Sequence, residues 1–150
     1  MSIEIKLLRR GDEAQLERLA PGLFDDPLDA DASREFLADE RHHLAVAIDD
    51  GFVVGFVSAV LYVHPDKPRP ELWINEVGVA PTHRRQGAGK AMLSALLAFA
   101  QAAGCSEAWV LTDRRNAAAM RLYSSLGGTE APDDAVMFTF RLNSNDKNMR

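Results

Sequence analysis

Near the start of the chain Ile3, Ile5 and Leu7 alternate with polar neighbours, the period-two pattern of a strand with one buried face. Asp12 is placed to cap a helix carrying Leu16 and Leu19, which Pro21-Gly22 would end. An aspartate-rich loop follows, then a short helix capped by Ser33 and carrying Phe36 and Leu37. Two apolar runs, residues 44–48 and 52–63, flank Asp49-Asp50-Gly51, which is a β-hairpin signal. The stretch from His64 to Pro70 holds three prolines and predicts a loop, because proline cannot donate to a ladder. Residues 72–80 predict the next strand. From Gly87 to Gly104 the chain is apolar almost all round at helical spacing, so this helix should pack against a sheet. Residues 108–112 predict a buried strand, Asn116 begins another helix ending at Gly127-Gly128, and residues 135–142 (AVMFTFRL) predict a last strand. The order β-α-α-β-β-β-α-β-α-β predicts a single α/β (α+β) domain with a central mixed, mostly antiparallel sheet flanked by helices. It spans residues 1–142, followed by a polar tail at residues 143–150.

Composition narrows the class. With 150 residues, 47% hydrophobic and 26% charged, the chain can bury one core, which excludes a disordered segment or a collagen-like repeat. A single cysteine, Cys105, permits no intrachain disulfide and suits a reducing compartment. The N-terminus lacks a basic start followed by a long apolar run. No stretch reaches the roughly 18 apolar residues of a membrane span. The expectation is a cytoplasmic protein without a membrane partner. A net charge of −5 argues against nucleic acid, whose phosphates call for a basic face. The charge is unevenly spread. Residues 1–40 hold eleven acidic and five basic side chains, with Asp25, Asp26, Asp29 and Asp31 in one loop. Arg84, Arg85 and Lys90 cluster elsewhere. Such a division suits a cationic and an anionic ligand held together.

The stretch from Val77 to Lys90 runs from a buried strand through a turn into the long helix, with Gly87 and Gly89 at the helix start. The first amides of a helix lack internal partners and face the positive end of its dipole. Glycine lets an anion approach those amides, and Arg84 and Arg85 add forked donors, so the turn can bind phosphate. The spacing matches neither the dinucleotide fingerprint nor a P-loop. Taken alone, a G-x-G of this kind favours a plain helix start with solvated arginines. Gly78, inside a β-branched strand, marks either a bulge or a close packing contact.

Arg84-x-x-Gly87-x-Gly89 resembles the coenzyme A signature of the GNAT superfamily of N-acetyltransferases. The segment Asn116-x-x-Ala119-x-x-Leu122-Tyr123-x-x-x-Gly127 resembles that family's later helix. One helix and one strand separate the two motifs, as in that fold, and the likeness covers about residues 3–142. It implies acetyl-CoA as co-substrate, its pyrophosphate on Arg84, Arg85, Gln86, Gly87, Ala88, Gly89 and Lys90. The pantetheine arm would lie along Val77, Gly78 and Val79, where an unpaired strand N–H could stabilise the thioester oxygen. Tyr123 would protonate the departing thiolate; by pattern alone it is also a core aromatic. Asn116 matches a CoA-contacting asparagine and is equally an N-cap.

Glu76 is the candidate base for the acceptor amine, directly or through a water, or else an outward glutamate in a surface ion pair. His42, His43, His64 and His83 form no metal spacing and read as surface or turn residues, so no metal is expected. Cys105 has no marked activating partner, which favours direct transfer in a ternary complex over a covalent intermediate.

Within the superfamily the chain looks most like the small aminoglycoside 3-N-acetyltransferases. The shared features are the Phe-Val-Val-Gly-Phe-Val strand, the proline-rich stretch, the acidic Glu76, the His83-Arg84-Arg85-Gln86-Gly87 run and the short ending with Phe138 and Phe140. It departs in having Glu76 where that group commonly has aspartate, and in the start of its second helix. The resemblance implies antibiotic resistance through a cationic amine substrate. Asp25, Asp26, Asp29 and Asp31 would cover the acceptor cleft, with Glu130, Asp133 and Asp134 as an opposite wall. The same acidic walls would suit a polyamine or a basic protein N-terminus, and a non-catalytic acyl-CoA sensor is the remaining alternative. Pairing as a homodimer is a further expectation from the family.

Overall fold

A computed structural model describes residues 2–131 and 134–143. Strands β1 (Glu4–Leu7), β2 (His42–Asp49), β3 (Phe52–His64), β4 (Lys67–Val79) and β5 (Glu107–Val110) form one sheet in sequence order. The first three pairings are antiparallel, and β4 pairs with β5 in parallel. Helix α1 (Ala30–Ala38) precedes β2, α2 (Ala88–Ala102) makes the crossover from β4 to β5, and α3 (Ala117–Ser125) follows β5. This is the mixed, mostly antiparallel α/β sheet that the pattern predicts.

Alternation in the strands divides the apolar residues between two faces. On one face Ala45, Ala47, Val57, Ala59, Leu72 and Ile74 pack under Met92, Leu93, Leu96 and Ala100 of α2. Ile5 and Leu7 of β1 join this cluster, as does Ile3 just before it. On the other face Leu44, Val46, Ile48 and Phe56 are covered by Leu16, Leu23 and Leu37. Helix α2 thus packs against the sheet as its composition requires, while Lys90, Ala91, Ser94, Ala98 and Gln101 are exposed on its outer side. Among the described residues no helix is long and apolar enough to cross a membrane.

Four local expectations are corrected. The segment after Asp12 is a short 3-10 turn, Glu13–Glu17, and the Asp12 carboxylate accepts from the Arg9 amide rather than capping it. Helix α1 is capped by Asp29, whose Oδ1 accepts from the amides of Asp31 and Ala32 at 2.8 and 3.1 Å, so Ser33 lies inside the helix. The proline-rich stretch is strand rather than loop. β3 runs through His64 and β4 begins at Lys67, with extra residues accommodated between the pairs Tyr62↔Glu71 and His64↔Lys67. β5 joins β4 only from Glu71 onward, so Pro68 and Pro70 occupy an outer edge where no ladder needs their missing N–H.

The fourth correction concerns residues 135–142, which are not a strand here. Val136, Met137, Phe138, Phe140 and Leu142 are 76–88% exposed. Among the described residues nothing pairs with the outer edge of β5, and an extended segment without a neighbour has no ladder to join. Residues 144–150, most of the expected tail, lie outside the described residues.

A cluster at the start of β4 fastens β5 to it. Trp109 Nε1 donates to Tyr62 Oη at 2.6 Å, and that hydroxyl donates to Glu71 Oε1 at 3.2 Å. His64 Nε2 lies 2.6 Å from Glu71 Oε2, and Trp73 and Trp109 stack with ring centroids 5.2 Å apart. Beyond Ile74 the two strands part, so residues 75–79 keep β3 on one side and an open edge on the other. The register also shifts here, from Ala59↔Ile74 to Ser58↔Glu76, which leaves Asn75 as the bulged residue.

Gly78 sits beyond the bulge in a regular pair with Phe56. Its reason is packing: a Cβ at this position would lie 2.6 Å from Phe56 Cε1. Substituting Gly78→Ala should therefore destabilise the fold by about 1–3 kcal/mol, in the range of overpacking. The check is a lower urea midpoint with an unchanged slope; an unaltered midpoint would show that the ring yields freely.

Candidate active site

The end of β4 leads through a 3-10 turn, Pro81–His83, into α2. Gly87 is the N-cap of α2 at φ 84°, and Arg85 is left-handed as well at φ 64°. No side chain caps this helix, and Ala91 N is the amide that bonds back to Gly87 O. The amides of Ala88, Gly89 and Lys90 therefore face outward at the positive end of the dipole. The two left-handed residues, Arg85 and Gly87, curl the backbone into a concavity of the shape that suits an anion. Arg84 is braced by Nε donating to Val79 O at 3.3 Å, which directs it beside the strand edge. Gln86 instead donates to Thr82 O at 3.4 Å and does not line the groove.

His83 is more than a surface turn residue. Its Nε2 lies 2.7 Å from Asp49 Oδ2 and its Nδ1 2.8 Å from Thr82 Oγ1, with the side chain only 16% exposed. This contact ties the turn before α2 to the β2–β3 hairpin. No local spacing signals a partnership across 34 residues.

A groove of about 1060 Å³ runs from this turn along the open edge of β4 to α3. Val77, Gly78, Val79, Arg84, Arg85, Gly87, Ala88, Gly89, Lys90, Asn116 and Tyr123 all line it. Sequence reasoning missed Asn75, Thr112 and Arg121, which also face the groove. Asn116 Oδ1 accepts from Ala119 N at 3.1 Å, so the residue caps α3 while bordering the groove. Burial raises the pKa of Tyr123 above the ordinary tyrosine value, which keeps the phenol protonated and able to donate. Burial likewise raises the Cys105 thiol above its ordinary value; this residue lies past the end of α2, outside the groove.

These features fit an extended ligand with a diphosphate at one end. The basic, amide-rich turn suits phosphate oxygens, and the free strand edge suits an amide-containing arm.

On the other side of β4 a second pocket, of about 430 Å³, is lined by Phe24, Asp25, Asp26, Asp29, Phe36, Phe56, Ser58 and Glu76 among others. Phe24 stacks on Phe56 at 4.1 Å between centroids and forms its apolar wall. Asp25 lines both this pocket and the groove. Asp31 does not reach the pocket: it is exposed in the first turn of α1, paired with Arg34 at 2.9 Å. Glu130 pairs with Arg114 and Asp134 is exposed, and neither lines either cavity. After α3 the Arg114–Glu130 pair holds the chain toward the end of β5, and among the described residues none beyond α3 lines the pocket. Asp133 lies outside the described residues. Among the described residues no group of three or more metal-ligating side chains converges.

Residues 12–127 match the Acetyltransferase (GNAT) family. N-acetyltransferase family 8 member 3 of Rattus norvegicus is 32% identical over 113 residues, covering 75% of this chain and 50% of that protein. The chain thus spans about half the length of that relative. Aminoglycoside N(6')-acetyltransferase type 1 of Salmonella typhimurium is 29% identical over 119 residues, covering 76% of this chain and 80% of that protein. An aminoglycoside acetyltransferase from an uncultured soil metagenomic sample, solved with sisomicin, superimposes with a TM-score of 0.80 at 22% identity, covering 93% of this chain and 96% of that one. AAC(6')-Iy, solved with a bisubstrate analog, gives a TM-score of 0.75 at 20% identity, covering 95% of this chain and 100% of that one. The structural likenesses establish the fold. The regiochemistry in these names is 6', not the 3-N of the sequence resemblance. With the family match extending over most of its length, and with this sheet and turn, the chain belongs to the Acetyltransferase (GNAT) family.

Proposed function

We propose that this chain is an acetyl-CoA-dependent N-acetyltransferase acting on a primary amine of a cationic small molecule, an aminoglycoside. The observation that carries the reading is the meeting of two cavities across β4. One is basic at its far end, the other is walled by carboxylates, and Asp25 borders both. The family match and the aminoglycoside acetyltransferase from Salmonella support the same reading.

Acetyl-CoA supplies an acetyl group activated as a thioester. Arg84, Arg85, Lys90 and the first amides of α2 hold the diphosphate, and the edge from Asn75 to Val79 aligns the arm. Asp25, Asp26, Asp29 and Glu76 gather the cationic acceptor. Most of that amine arrives protonated, with a pKa near ~10. Glu76 accepts the proton, directly or through one water, and the freed nitrogen attacks the thioester carbonyl. A strand N–H on the open edge donates to the carbonyl oxygen as negative charge grows there. Tyr123 donates its proton to the leaving sulfur, and the proton that the nitrogen sheds as the amide forms returns to the phenol, so that the thiol and the neutral amide leave together. The nitrogen–carbon bond forms and the carbon–sulfur bond breaks within one ternary complex, with no cysteine acylated. The proposed setting is the cytoplasm, and resistance to the antibiotic follows if the acetylated drug loses its target.

Thiol release from acetyl-CoA, measured across aminoglycosides, polyamines and N-terminal peptides, should give the highest kcat/KM on an aminoglycoside. NMR of the product then distinguishes acetylation at 3-N from 6'. Faster turnover on peptides would replace the acceptor, and calorimetry detecting no coenzyme A binding would sink the activity itself.

Tyr123→Phe should lower kcat by about 100-fold or more, as expected for a lost general acid, while coenzyme A affinity stays within a few-fold. Because burial raises the Tyr123 pKa, the wild-type rate should not fall from phenol ionisation until pH exceeds ~10. Glu76→Gln should lose rate near neutral pH and regain it as pH rises, since only the free amine fraction then reacts. Turnover unchanged in both variants would favour an acyl-CoA sensor.

A further inference from the structure

We propose that the acceptor pocket selects an amine carried on a ring with a deoxygenated edge, so that among aminoglycosides the 3',4'-dideoxy forms are preferred. This deepens the function proposed above and rests on the pocket of about 430 Å³ being the acceptor site. The observation that carries it is a division within the walls of that pocket. The carboxylates of Asp25, Asp26, Asp29 and Glu76 border it, and so do Phe24, Leu28, Phe36 and Phe56. Charge alone would suit any polycation. The apolar side chains add a second requirement.

That apolar surface is held in place by the fold. Phe56 is 4% exposed and belongs to the core on this face of the sheet, with Phe24 and Phe36 packed against it. The Phe24 ring lies nearly parallel to Phe56, with 18° between their planes, so it cannot turn away without exposing core. Leu28 is 36% exposed where it borders the pocket, which leaves its side chain open to a ligand. The floor is divided in the same way. Phe56 and Ser58 fall on one side of β3 by alternation and pair with Gly78 and Glu76 of β4. The Ser58–Glu76 end is polar. The other end is apolar, because Gly78 has no side chain and the Phe56 ring lies against it.

What such walls recognise follows from their chemistry. The carboxylates attract ammonium groups and accept hydrogen bonds from them. A ring hydroxyl laid against Phe24, Leu28 or Phe36 gives up its water and meets neither donor nor acceptor there, which costs free energy. A methylene in the same place gains by leaving water. An amino sugar without its 3'- and 4'-hydroxyls presents a continuous hydrocarbon edge with amines on either side, which matches apolar walls rimmed by carboxylates. The central aminocyclitol, hydroxylated or glycosylated around most of its ring, offers no comparable edge.

The test compares kanamycin B with its 3',4'-dideoxy form, which carries the same amines, using the whole chain and acetyl-CoA. The dideoxy form should show a kcat/KM higher by about tenfold or more, on the scale by which apolar pockets discriminate against an added hydroxyl. Leu28→Asn should shrink that ratio severalfold by raising KM for the dideoxy form, with KM for acetyl-CoA and the far-ultraviolet circular dichroism unchanged. Equal kcat/KM for the two drugs, or a ratio that Leu28→Asn leaves intact, would overturn the proposal. Acetylation of neither drug would remove the aminoglycoside reading instead. The pocket's preference is then read by calorimetry, where the dideoxy form should still bind about tenfold more tightly and equal binding would overturn it.

Discussion

The parting of β4 from β5 is the constraint on which the site depends. At Glu71–Ile74 the two strands are hydrogen-bonded neighbours, pinned by the Trp109–Tyr62–Glu71–His64 cluster and the stacked tryptophans. From Asn75 onward β4 bulges and keeps only β3 beside it. Backbone groups that would have been consumed in a ladder are thereby left for a ligand, because a main-chain donor without a partner seeks one. Had β5 continued alongside β4, the groove would be filled by sheet.

In the proposed function an anionic group is held at the far end of that opening. The turn suits this by backbone conformation as much as by charge: two left-handed residues and an uncapped helix start present amides together. The His83–Asp49 contact anchors the turn to a hairpin distant in sequence. Pre-ordered donors lose less freedom on binding than solvated side chains do.

The acidic pocket lies on the opposite side of the same strand, and its aspartates serve more than one purpose. Asp29 caps α1 with one oxygen while bordering the pocket. Asp25 belongs to both cavities. The loop between the 3-10 turn and α1 is therefore structural and ligand-facing at once, held down by Phe24 on Phe56. Phe56 in turn covers Gly78, so the floor of one pocket supports the edge that lines the other groove.

Much was legible from local pattern. Period-two alternation located β1, two apolar runs about Asp49-Asp50-Gly51 located the β2–β3 hairpin, helical spacing located α2, and the glycines after Arg84 located the turn that opens it. These succeed because side-chain periodicity and helix-start chemistry act over a few residues. What the chain by itself could not determine depends on partners far away in sequence. Prolines inside β4 are tolerated because β5 pairs with it only from Glu71 onward. The bulge falls at Asn75 rather than Gly78 because β3 sets the register, and His83 finds Asp49 only after the hairpin folds. Residues 135–142 carry a strand's alternation but stand unpaired. A strand is defined by its neighbour, and which edge supplies that neighbour is decided by tertiary structure.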